Sequence, residues 1–94
     1  MCVTLIGGMD RLEKEYMTVA ADAGFSLRFI KRNERNFTQK IGNPDTLIVF
    51  TNKVSHEAKR KAVLVARSKN IPLQLVHACG VSSLRECLFK AQVR

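Results

Sequence analysis

A histidine and a cysteine two residues apart, His77 and Cys79, leave a short apolar run and are followed by Gly80 and the serine pair Ser82 and Ser83. An imidazole changes charge near neutral pH and ligates metals, and a thiolate is both nucleophile and soft ligand. This pair therefore offers haem or metal ligation, or thiol catalysis with His56 or His77 as base. The serine hydroxyls and nearby amides offer instead to bind an anion, although helix capping explains Ser83 equally well.

Two other stretches have the same character. Gly7-Gly8-Met9-Asp10-Arg11 follows Val3 to Ile6, and Thr51-Asn52-Lys53-Val54-Ser55-His56 follows Leu47 to Phe50. Paired glycines before a helix start let backbone approach an anion while the helix supplies unpaired N–H groups. The stretch is neither G-x-G-x-x-G nor a Walker A loop, so no nucleotide motif is spelled out. A plain tight turn accounts for the same glycines. Arg11 and Arg85 suit a phosphate or carboxylate clamp, or a solvated surface. Ser55 is placed to cap a helix, and His56 beside it brings a switchable proton. Cys87 falls on an apolar helical stripe and reads as core, and Cys2 lies at the far end of its strand.

All three clusters need elements that hold them at one edge. Cys2 to Ile6 reads as a buried strand. Asp10 with Glu13 forms a capping-box pattern, Gly24 is placed to end the helix, and Leu12, Tyr16, Val19, Ala20 and Ala23 form its inward stripe. Phe25 to Ile30 reads as a second strand, 31–36 as a polar loop, and Phe37 to Ile41 as one helical turn broken by Gly42-Asn43-Pro44. Asp45 to Phe50 carries the strongest strand pattern and belongs centrally. A helix is expected from between Lys53 and His56 to about Lys69, with Asn70 ending it and Ile71-Pro72 leading into a strand at Leu73 to Val76. Ser83 with Glu86 is a second capping-box pattern, opening a last helix whose stripe is Leu84, Cys87, Leu88 and Ala91.

Such strand-helix alternation implies an α/β fold of three layers, a four-stranded parallel sheet in the order 2-1-3-4 with helices on both faces. In that order the crossovers diverge between the first and third strands, and ligands in such folds bind outside the carboxyl ends at that point. The first and second clusters flank that crevice and the third lies beside it.

Composition bounds the rest. Residues 1–94 are read as a single domain, 46% hydrophobic and 26% charged, which is ordinary for a globular domain and argues against disorder. No apolar stretch is long enough to span a bilayer and no signal peptide is visible, so the expectation is a cytoplasmic protein. Three cysteines without a CxxC pair argue for free thiols rather than a disulfide framework or a complete zinc site. A net charge of +8 draws anions without choosing among them. Nucleic acid is one, through Arg28, Lys31, Arg32 and Arg35 or Lys59-Arg60-Lys61, yet no binding motif or row of aromatics accompanies these, and a solvated basic surface is favoured.

Three segments resemble a bacterial family known as domain of unknown function 2325. They are Leu5 to Leu12, Asp45 to Thr51 followed by Val54-Ser55-His56, and Cys79 to Leu84. The resemblance implies a small Rossmann-like sheet, found alone or at the end of longer proteins, and it implies no activity.

The reading is a non-catalytic ligand-binding or sensory domain holding an anionic small ligand, a nucleotide or phosphorylated metabolite. Its expected ligand-binding residues are Gly7, Gly8, Asp10, Arg11, Thr51, Ser55, His56, Ser82, Ser83 and Arg85. The alternatives are haem or metal binding through His77 and Cys79, with His56 as a further ligand, and a thiol-dependent enzyme using Cys79. The second strand, unprotected by proline, is expected to lie at a sheet edge and to favour a homodimer.

Overall fold

A computed structural model describes residues 1–31 and 35–92. The first strand, β1 (Cys2–Ile6), is apolar on both sides of its pleat except at Thr4, and its residues from Val3 to Ile6 are all buried. Its neighbours are β2 (Ser26–Ile30) and β3 (Thr46–Phe50), and β4 (Leu73–Val76) pairs with β3. All pairings are parallel and the order is β2-β1-β3-β4, as expected from the alternation of elements. β2 and β4 are the edges.

Helices cover both faces. On one, α1 (Glu13–Asp22) and α4 (Val81–Gln92) bury Tyr16, Ala20, Leu84 and Leu88 against Leu5 and Phe50. On the other, α3 (His56–Lys69) lays Ala62 and Ala66 over Leu47 and Val49, and α2 (Phe37–Lys40) leads into the buried Ile41. Full burial of each large side chain contributes about 1.5–3 kcal/mol. β3, buried along its whole length, is the centre of this core.

Two helix starts differ from expectation. Asp10 makes no capping bond; the chain enters α1 through a 3-10 turn at Asp10–Leu12, closed by the Leu12 N–H donating to the Met9 carbonyl at 2.9 Å. The start of α4 lies at Val81, where the Leu84 N–H donates to the Gly80 carbonyl, so Ser83 sits inside the first turn rather than capping it. In both places the loop entering the helix is already held by Tyr16, and that tether overrides the local capping pattern. The expectations at Ser55, Gly24 and Asn70 hold: Ser55 Oγ accepts from the Ala58 N–H at 3.1 Å, and the other two adopt positive φ where their helices end. The polar loop expected over 31–36 lies partly outside the described residues, as does Arg32.

Gly8 is fixed by packing. A Cβ there would lie 2.7 Å from both Phe29 Cε1 and Tyr16 Cε2, rings that stack on each other at 5.9 Å between centroids. Gly8→Ala should therefore cost about 1–3 kcal/mol in urea unfolding. Gly80→Ala, which meets no atom within 4 Å, should cost less, and equal losses would contradict the packing argument.

Candidate functional site

The carboxyl ends of β1, β3 and β4 are joined by contacts that originate in the first loop. Gly7 has φ +87°, and a Cβ on it would come within 2.6 Å of the Phe50 carbonyl and of Val54 Cγ1. Only glycine lets the first loop lie this close to the second. The connection to the loop after β4 runs through Tyr16. Its ring is fully buried between Phe29 and Phe50, and its hydroxyl accepts from the Met9 N–H at 3.1 Å and donates to the Cys79 carbonyl at 2.5 Å.

Tyr16 was legible in the sequence only as part of an apolar stripe. A tyrosine rather than a phenylalanine on such a stripe is the available signal, because a buried phenol needs a partner for its hydroxyl. Burial pushes its pKa above the ordinary 10.0; the Met9 hydrogen bond opposes that, and the nearby Cys79 and Glu15 add to it.

The other residues fall around this junction. Arg11 and Asp10 are exposed on the 3-10 turn, and Thr51 is half-buried at the start of a second such turn, Thr51–Lys53. Ser55 is occupied as the cap of α3, and His56 is exposed beside it. His77 is exposed, whereas Cys79 is half-buried and packs against the core beneath α1 and α4. Cys87 is buried, which pushes its thiol pKa up and makes it an inert core side chain. Cys2 lies at the opposite end of β1. Among the described residues no three His, Cys, Asp or Glu side chains group so as to hold a metal ion.

The helix starts at this edge differ in charge. The turn entering α1 carries Asp10, followed by Glu13 and Glu15, and the first turn of α3 carries Glu57. These carboxylates offset the positive ends of their helices. Glu57 is further held by Lys61 at 3.0 Å, whose hydrogen bond and charge lower its pKa. The first turn of α4 carries no acid and presents Ser82, exposed, and Ser83, half-buried. Beside it a groove of about 360 Å³ opens between α1 and α4, lined by Lys14, Glu15, Thr18, Val19, Val81 and Arg85, two cations and one carboxylate. So Arg85, one turn into α4, is brought beside Lys14 of α1.

With this geometry established, the chain can be set beside known proteins. The profile of a family described as an uncharacterized protein conserved in bacteria, domain of unknown function 2325, matches residues 2–91. The chain belongs to this family. No curated protein matches it. Two solved structures, both de novo designed Rossmann fold proteins, are similar: one has a TM-score of 0.67 at 15% identity, covering 99% of this chain and 98% of its own. The other has a TM-score of 0.61 at 14% identity, covering 99% and 97%. At such identity they establish the Rossmann-like fold of this family member and nothing about a ligand. Among the described residues no helix is long and apolar enough to cross a membrane.

Tyr16 gives the domain of unknown function 2325 fold two checks. Tyr16→Phe keeps the ring and removes the hydroxyl, leaving the Met9 N–H and Cys79 carbonyl without it, and should cost about 1–3 kcal/mol with faster hydrogen exchange at Met9. Unchanged exchange would contradict the tether. Tyr16 is also the sole tyrosine, so phenolate absorbance reports it alone. Because its folded pKa is raised, the native state keeps a proton that the unfolded chain releases. The stability is complete below the unfolded pKa of 10.0 and is lost as pH climbs toward the folded value, a decline that Tyr16→Phe should lack.

Proposed function

We propose that this domain is a non-catalytic binding module that holds an anionic small ligand, a nucleotide or phosphorylated metabolite, across the carboxyl ends of β1, β3 and β4. The observation that carries the reading is the acid-free first turn of α4, tied to the first loop through Tyr16 and flanked by Arg85 and Lys14 against the single carboxylate of Glu15. A helix start without carboxylates attracts negative charge through its free N–H groups. Ser82 and Ser83 would add hydroxyl donors, and Arg11 and Arg85 the countercharge.

Gly7 and Gly8 serve this site indirectly. Their missing side chains face Phe50, Val54, Phe29 and Tyr16, so they let the loops converge and leave direct contact to the first turn of α4. Thr51, Ser55 and His56 would border the ligand on the β3 side. The excess of basic residues favours the encounter with an anion. The loops after β1 and β3 flank the switch point where open parallel sheets take their ligands, and the start of α4 adjoins them at the same edge.

Thermal unfolding and calorimetry against a panel of nucleotides and phosphorylated metabolites should find at least one that raises Tm and binds saturably. Arg85→Ala should weaken that binding roughly tenfold, the loss of about 1.4 kcal/mol. A panel with no saturable binder would sink the proposal.

A further inference from the structure

A second polar concavity lies at the other end of the strands, on the face covered by α2. Sheets enclosed by helices on both faces ordinarily present apolar residues to each. Here the register pairs Cys2 with Ser26 and Thr4 with Arg28 before reaching the apolar pair Ile6 and Ile30. Alternation puts all six on one face. The upper pair is sealed by Ile41 in the core, but the lower two pairs form the floor of a groove of about 300 Å³, walled by the turn at Gly42, Asn43 and Pro44.

The polar groups there are held in place. Thr4 is 2% exposed and donates through Oγ1 to the Ile41 carbonyl at 3.0 Å. Arg28 lines the groove and donates from Nη1 to the Lys40 carbonyl at 2.9 Å, which fixes the guanidinium at the wall. Lys69 donates to the Gly42 carbonyl at 3.1 Å from α3, so a second cation adjoins the same turn. The acid close by, Asp45, accepts through Oδ2 from the Cys2 N–H at 2.6 Å. Arg28 is the charged residue among those lining the groove, and its planar guanidinium matches a carboxylate or phosphoryl group.

We propose that this groove is a binding site for a small metabolite bearing an oxyanion, with Arg28 pairing the oxyanion and Ser26 and Asn43 bonding its polar body. It is separate from the carboxyl-edge site and stands or falls independently. A volume at the lower end of the range for ligand pockets limits the guest to a few heavy atoms beyond the oxyanion.

Cys2, exposed on the groove floor, supplies the readout. The rate of its alkylation by iodoacetamide is followed by peptide mass spectrometry in inorganic phosphate, in succinate and in chloride of equal ionic strength, with a free cysteine derivative as reference. At about twice its Kd, a groove-bound anion should slow Cys2 labelling about threefold. Protection by phosphate alone identifies a phosphoryl group as the guest, and protection by succinate alone a carboxylate. Arg28→Gln should abolish the protection. Ser26→Leu, which leaves the Arg28 bond to the crossover intact and fills the floor, should abolish it too. Labelling that neither anion slows beyond chloride, or protection that survives in both variants, overturns the proposal.

Discussion

The buried phenol of Tyr16 is the constraint on which the carboxyl edge depends. An aromatic ring at that depth contributes through area and stacking, but its hydroxyl must be satisfied or it costs more than it gives. Here satisfaction comes from two loops at once, an N–H from one side and a carbonyl from the other. The same ring requires a residue without a side chain at Gly8, and Phe50 beneath it belongs to the strand whose carbonyl lies against Gly7. One side chain therefore couples the core under α1 and α4 to the positions of the loops after β1 and β4, with β3 drawn in through Gly7.

Charge then distinguishes among sites that topology makes equivalent. Each of the three long helices presents a positive end at the same edge, yet α1 and α3 begin among carboxylates and the first turn of α4 carries none. In a chain with twice as many basic as acidic residues, several of those acids sit at two helix starts and none in the first turn of the third. At the amino end, Arg28 takes a position on a helix-covered sheet face where an aliphatic residue would ordinarily sit. The molecule thus places positive charge at both ends of an apolar sheet.

Much of the fold was legible because local and global signals agree. The β-branched run of β3, the Asn70 and Ile71-Pro72 break after α3, and Ser55 as its cap each specify an element without help from distant residues. The same was true of the strand order. What failed at Asp10 and Ser83 failed for one reason: a capping box describes a helix start free to choose its cap, and both starts are positioned by a tyrosine remote in sequence from at least one of them. The packing role of the paired glycines is likewise beyond the sequence. Sequence shows that a side chain is absent, and only the packed structure shows that Phe29, Tyr16 and Val54 occupy the space. The groove beneath α2 was hidden because Arg28 stood in a run of basic residues, and its strand partner Thr4 is far away along the chain.

The most direct test of the central claim is a residue-resolved map of amide chemical shifts recorded while the tightest-binding nucleotide is titrated into the isotope-labelled protein. The account predicts saturable shifts concentrated at residues 9–12, 51–56 and 79–85, with residues 26–28 and 42–44 at the amino end unmoved. Shifts confined to the amino end, or the absence of any saturable change at the start of α4, would contradict it.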